Sequence, residues 1–227
     1  PYKKIGIKTL KPSKIDKNIN KAINQIAKIN KEVLDNKLFP LTLGGEHSIT
    51  PGCIMPFVKK YKKLTLLHFD AHADLRESYA GEKFSHASAI KRCLDNKNVS
   101  VISFGIRNIS KSEIPFLKKN SSKINIFWAK DKNKWNLNKF KKLIKNKTVY
   151  LTFDVDGLDS SIMPATGTPE PGGLLWDETL NIIKIAAKNS KIVGADINEL
   201  SPIKGFNSYN FLVAKLAYKI LSYKFLY

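Results

Sequence analysis

The amino-acid sequence predicts a single-domain α/β fold of three layers, with a mainly parallel sheet between helices. Three observations carry this. Runs such as Leu64-Thr-Leu-Leu-His-Phe69, Val99-Ser-Val-Ile-Ser-Phe104 and Thr148-Val-Tyr-Leu-Thr-Phe153 are continuously apolar rather than alternating, the pattern of strands buried on both faces. Segments of helical spacing separate them, as parallel strands require. Acidic clusters follow directly on several strand carboxyl ends, where open α/β sheets bind ligands.

The elements follow in order. Asp16 is read as the N-cap of a helix over 17–36, with Ile19, Ile23, Ile26, Ile29 and Val33 on one face. Strand 39–43 comes next, then a helix over 50–61 with Ile54, Phe57 and Val58. Strand 64–69 leads to the first acidic cluster. A helix over 86–95 precedes strand 99–104, and a short helix over 111–119 precedes strand 124–128. Helix 137–145, strand 148–154, helix 177–189 and strand 191–197 follow, and an amphipathic helix over 208–223 ends the chain. The whole chain, 1–227, reads as one domain without repeats.

Composition bounds the class. An apolar fraction of 43% and a charged fraction of 26% are ordinary for a globular protein. No apolar stretch approaches the ~18 residues of a membrane span, and the first ten residues lack the long apolar run of a secretory leader, so none is expected there. Cys53 and Cys93 lie in helical segments without a Cys-x-x-Cys spacing, and read as buried free thiols of a cytoplasmic protein. The net charge is +20. Its lysines are spread along the chain, without an arginine-rich or aromatic-interleaved block, so a nucleic-acid partner is disfavoured. Lys139-Phe-Lys-Lys142 reads as a solvated helix face.

The chemistry lies at three strand ends. In Asp70-Ala-His72-Ala-Asp74, alternate positions of an extended backbone put three ligand side chains on one side. Asp154-Val-Asp156 ends the strand that starts at Thr148, and Gly44-Gly-Glu-His47 ends the strand that starts near Phe39. Four carboxylates cannot all ionise at close range without cations. Asp70, Asp74, Asp154, Asp156, His47 and His72 therefore read as ligands of two divalent ions. An oxygen-rich set without thiolate favours two Mn²⁺ over Zn²⁺, Ni²⁺, Fe²⁺ or Co²⁺. Such a pair lowers the pKa of a shared water and suits hydrolysis of an unactivated C–N or C–O bond.

His68, inside its strand, reads as a hydrogen-bonded core histidine. His86 is a candidate proton shuttle. Gly44 and Gly45 allow a tight turn that presents His47. The Gly- and Pro-rich stretch 163–173 reads as an ordered loop that shapes a pocket. Asp196 and Glu199, at the end of strand 191–197, are either surface charges or helix caps, or carboxylates that grip a cationic group.

Together the segments Gly44-Gly-Glu-His-Ser48, Asp70-Ala-His-Ala-Asp74, Ser85-His86, Ser103-Phe-Gly-Ile-Arg107, Phe153-Asp-Val-Asp-Gly-Leu-Asp159, Thr166-Gly-Thr-Pro-Glu-Pro-Gly-Gly173 and Asn198-Glu-Leu-Ser-Pro202 resemble the ureohydrolase family, which includes arginases and agmatinases. The resemblance implies an arginase-like α/β/α fold and a binuclear Mn²⁺ site. His47, Asp70, Asp74 and Asp154 would hold one ion, and Asp70, His72, Asp154 and Asp156 the other. Asp74 would orient the attacking hydroxide, His86 would shuttle a proton, Glu199 would bind the guanidinium, and Thr168 would stand in the loop near it. The products would be urea and an amine. Gly-Gly-Glu-His and Thr-Pro-Glu-Pro-Gly-Gly point to agmatine as substrate, giving putrescine. The alternatives are another guanidino compound (as for an arginase or guanidinobutyrase) or a metal-binding pseudoenzyme without turnover. A one-zinc deacetylase of the wider superfamily is disfavoured, because no adjacent His pair is present. The resemblance also implies a homotrimer or hexamer, and a further N-terminal part of the family domain. The sequence departs from the family at Ala87-Ser88 and Ser160.

Overall fold

The computed structural model describes residues 2–227. After a helical turn α1 (Tyr2–Ile5), the elements are α2 (Ile19–Asp35), β1 (Leu41–Leu43), α3 (Thr50–Lys60), β2 (Leu64–Phe69), α4 (Ala89–Leu94), β3 (Val99–Phe104), α5 (Ile114–Lys119), β4 (Ile124–Phe127), α6 (Leu137–Ile144), β5 (Thr148–Asp154), α7 (Trp176–Asn189), β6 (Lys191–Asn198) and α8 (Asn207–Leu226). Every strand and long helix expected from the sequence is present. The differences are local. Asn18, not Asp16, caps α2 by accepting from the Lys21 amide, while Asp16 accepts from the Asn18 amide. β1 starts two residues late, after Pro40, which has no amide hydrogen to give a ladder. The segments before α4 and α5 are single 3₁₀ turns, His86–Ser88 and Lys111–Glu113.

The six strands form one parallel sheet in the order β1-β6-β5-β2-β3-β4. The chain builds outward from β2 through β3 to β4, then returns to insert β5 and β6 between β2 and β1. The order reverses where β2 meets β5, and at such a reversal the crossovers leave a crevice beyond the strand carboxyl ends.

Both faces of the sheet are covered. Phe140 and Ile144 of α6, Ile182, Ile183 and Ala186 of α7, and Val213, Leu216 and Ile220 of α8 pack on Leu67, Phe69, Leu151 and Phe153. Ile26 and Leu34 of α2, Ile54 and Phe57 of α3, and Ile90 of α4 pack on Leu64, Leu66, Val101 and Tyr150. Both clusters exclude water from the strand interiors, and each fully buried Leu, Ile or Phe contributes about 1.5–3 kcal/mol. Phe69 stacks on Phe153 at 4.8 Å between ring centroids and Phe104 on Phe127 at 4.4 Å, which ties β2 to β5 and β3 to β4. Cys53 and Cys93 are buried free thiols. No described helix is long and apolar enough to cross a membrane.

Candidate metal centre

The carboxyl ends of β1, β2 and β5 bring His47, Asp70, His72, Asp74, Asp154 and Asp156 together. His47 opens the 3₁₀ turn after β1 and is fully buried. Its Nδ1 lies 3.0 Å from Asp70 Oδ2, 3.2 Å from Asp74 Oδ2 and 3.3 Å from Asp154 Oδ2, yet makes no hydrogen bond. His72 turns Nδ1 to Asp156 Oδ2 at 2.9 Å and to Asp70 Oδ1 at 3.5 Å. Asp70 thus faces His47 with Oδ2, which also meets His68, and His72 with Oδ1, and stands between two half-sites. Asp154 Oδ1 accepts from the Asp156 amide at 2.9 Å, which fixes the second pair.

Close backbone approach makes this convergence possible. Gly157 lies under β2, where a Cβ would come within 2.7 Å of the Asp70 amide nitrogen. At Gly44 a Cβ would meet Ile49 and Asn198 at 2.1 and 2.7 Å. Asp74 and Glu199 hold φ of +53° and +65°, a left-handed conformation that non-glycine residues adopt at a cost and that clusters at functional sites.

The protonation balance shows what the cluster lacks. Burial and the charges of Asp156 and Asp70 push Asp154 well above the usual carboxylate range. Burial and the Asp70 charge push Asp74 up to about 7. Burial opposes protonation of His47, but the carboxylates of Asp154, Asp70 and Asp74 raise it well above its usual value. Against burial, Asp156 and Asp70 raise His72 to about 11. Against burial as well, contacts with His47, His68 and His72 hold Asp70 well below its ordinary value. The group holds excess negative charge that protons must offset. Divalent cations do this better, and the unpartnered Nδ1 of His47 among three carboxylate oxygens is a donor arrangement that fits one.

The outer residues take definite places. His68 is wholly buried, with Nδ1 3.0 Å from Ser103 Oγ and Nε2 2.9 Å from Asp70 Oδ2, as expected for a core histidine. His86 is half exposed and sets Nδ1 2.9 Å from Glu46 Oε1, with its ring edge-on to Tyr79. The half-buried Glu199 accepts from the His47 amide at 2.6 Å and donates its own amide to the Gly45 carbonyl at 2.7 Å. Burial raises its carboxyl pKa. Thr168 Oγ1 donates to Asp156 Oδ2 at 3.1 Å, which holds the 163–173 loop over the second half-site.

The sequence matches the Arginase family over residues 1–222. The chain belongs to the arginase family. It is 38% identical over 188 residues to an agmatinase of Bacillus anthracis, a match covering 82% of this chain and 63% of that protein. It is 35% identical over 189 residues to an N(1)-aminopropylagmatine ureohydrolase of Synechocystis sp., covering 82% and 60%. The crystal structure of an agmatine ureohydrolase of Thermoplasma volcanium superposes with a TM-score of 0.82 at 30% identity, over 93% of this chain and 71% of that one. The chain spans about three fifths of the length of the two curated relatives.

In this arginase-family chain one expectation is corrected. Asp196 is neither a surface charge nor a gripping carboxylate: it is fully buried and accepts from Thr152 and Asn198 at 2.7 Å. Three residues around the site have no role of their own in the sequence pattern, although Glu46 and Arg107 lie within the segments that carry the family resemblance. Glu46 holds His86. Arg107 donates to the carbonyls of Gly105, Asp156, Leu158 and Glu170 and clamps the loop that follows the second half-site. Thr152 touches His47. The alternation of β5, which places Thr152 on the same face as Asp154, is the one pattern that could have found it.

Proposed function

We propose that this arginase-family chain is a binuclear Mn²⁺-dependent ureohydrolase that cleaves agmatine to putrescine and urea. The carrying observation is Asp70, whose two carboxylate oxygens face the His47 and His72 half-sites. His47, Asp70, Asp74 and Asp154 would hold one ion, and Asp70, His72, Asp154 and Asp156 the other. When bound, the ions supply a nucleophile from water near neutral pH and balance the carboxylate charge.

The chain's own groups do the rest. Glu199, fixed by the His47 amide, presents a carboxylate to a cationic guanidinium, a strong and directional pairing. His86, oriented through Nδ1 by Glu46, leaves Nε2 free to exchange a proton with the leaving amine. Asp74 accepts a proton beside His47. Agmatine is favoured over arginine by the sequence segments shared with agmatinases and by the relatives' activities. We assign the protein to the cytoplasm as a homo-oligomer, a trimer or hexamer, with a small guanidino compound rather than nucleic acid as its partner.

The test is urea release from Mn²⁺-loaded protein with agmatine, arginine, 4-guanidinobutyrate and aminopropylagmatine side by side. Agmatine should give the highest kcat/KM. No urea from any of them, with about two ions bound per chain, would replace this reading with a metal-binding pseudoenzyme.

A further inference from the structure

The sheet register carries a polar row directly beneath the metal centre. Ser103, His68, Thr152, Asp196 and Thr42 are lateral partners across β3, β2, β5, β6 and β1. Ser103, His68, Thr152 and Asp196 are buried, in strands whose neighbouring residues are mostly apolar. A buried polar row is costly unless each member is satisfied, so its hydrogen bonds define its purpose.

Donor counting fixes the direction of those bonds. Asp196 Oδ1 accepts from Thr152 Oγ1 at 2.7 Å, from Asn198 Nδ2 at 2.7 Å and from Thr50 Oγ1 at 3.3 Å. Thr152 has a single hydroxyl proton, and Asp196 Oδ1 at 2.7 Å is its shortest acceptor; Thr50 Oγ1, 3.1 Å from Thr152 Oγ1, then shares its own proton between Thr152 and Asp196. The lone pairs of Thr152 Oγ1 therefore face His47 Nε2, which lies 2.9 Å away. Only Nε2–H makes that contact favourable. In neutral His47 the other nitrogen, Nδ1, then carries the lone pair, and Nδ1 points at Asp70, Asp74 and Asp154.

We propose that Asp196 acts through Thr152 as a positioning relay that fixes His47 in the Nε2–H tautomer and so makes Nδ1 a metal donor. The inference rests on the metal reading of the centre and names residues behind it that do not themselves bind the ions. Such outer partners orient a ligating imidazole and raise its basicity. Asp196 reaches no substrate or ion: it is sealed beneath the sheet end by Asn198, Thr50 and Thr152. Its Oδ2 makes no hydrogen bond, so the carboxylate is held through Oδ1 alone.

The test compares Thr152→Val, Thr152→Ser and Asp196→Asn with the wild type. Mn²⁺ affinity is read by competition with a chelator, and His47 by ¹⁵N NMR of Zn²⁺-loaded protein. Thr152→Val keeps the side-chain shape and removes the acceptor. It should weaken one of the two ion sites by about 10- to 100-fold and leave the other within threefold. Thr152→Ser, which restores the hydroxyl, should recover wild-type affinity. Asp196→Asn should shift the His47 Nε2 proton upfield, since its acceptor is no longer polarised by a carboxylate. A folded Thr152→Val variant that binds both ions as the wild type does overturns the relay while leaving the metal centre standing. A wild type that binds no ions overturns the metal reading itself. Should the variants not fold, the wild-type spectrum decides: a His47 Nε2 without a proton in the Zn²⁺-loaded protein excludes the relay, and a protonated, hydrogen-bonded Nε2 supports it.

Discussion

Metal and proton compete for the same side-chain atoms in this centre, and pH separates them. Without ions, Asp74 carries a folded-state pKa of about 7 against an ordinary 3.8, and His72 one of about 11 against 6.5. Asp154 and His47 are raised as well. The folded state then binds more protons than the unfolded chain over that whole range. By linkage, the stability these groups contribute is full below their unfolded pKa values and is lost as pH rises through the folded ones. His68, lowered by burial, and Asp70, held down by its histidine neighbours, work the other way, but they are outnumbered, and Asp70 is ionised in both states above about pH 5. The melting midpoint of the EDTA-treated protein should fall between pH 5 and pH 8. Because ion binding requires deprotonated ligands, the gain in midpoint on adding Mn²⁺ should grow over the same interval. Calorimetric scans at three pH values check both slopes; a metal-free midpoint that rises with pH would contradict the charge balance described. Glu199→Gln keeps the amide contact to His47 and removes only the charge, so metal content should hold while kcat/KM for a guanidino substrate drops about 10- to 100-fold.

At the level of elements, strand ends are the legible part of this chain. Continuous apolar runs locate every strand, but the period of two does not carry through Asp70, His72 and Asp74: β2 ends at Phe69 and Asp74 takes a φ of +53°, so the turn after the strand, not an extended backbone, brings the three together. Legibility stops where contact depends on pairing between distant strands. That Thr152 sits between His68 and Asp196 is a matter of register, and register in a parallel sheet is set by crossover packing that no local pattern records. Glu113 makes the same point. Ser110-x-x-Glu113 is a recognisable capping box, but the second Glu113 oxygen takes the Leu75 amide at 2.8 Å and pins the residue after Asp74, a contact between separate elements. Arg107 is another such tie. Its guanidinium serves four carbonyls between β3 and the loop that follows β5. Arg107→Ala should cost about 2–3 kcal/mol, a midpoint drop of about 5–10 °C for a chain of this size. Arg107→Lys should recover little of it, because a single ammonium cannot reproduce a planar fork. Thermal unfolding of the two variants checks the order.

For the whole molecule the opposing force is charge. A net +20 repels the cationic substrate proposed for it, and the acidic cleft is the natural counterweight. Once two divalent ions are bound, however, the four aspartates contribute −4 and the ions +4, so the centre is close to neutral. Glu199, Glu46 and Glu170 remain at the mouth, too few to reverse the field of the surface beyond a Debye length of about 10 Å. Approach of the substrate should therefore be slowed at low ionic strength and eased by salt, the opposite of an enzyme steered by its own field. For the Mn²⁺-loaded protein, kcat/KM for agmatine should rise severalfold as NaCl goes from about 10 to 150 mM (Debye lengths of about 30 and 8 Å), with kcat nearly constant, because screening acts on encounter and not on the bound complex. An uncharged osmolyte at matched concentration should have no such effect. A kcat/KM that falls with salt would mean that the local carboxylates at the mouth govern approach and that the lysine-rich surface is electrostatically remote from the site.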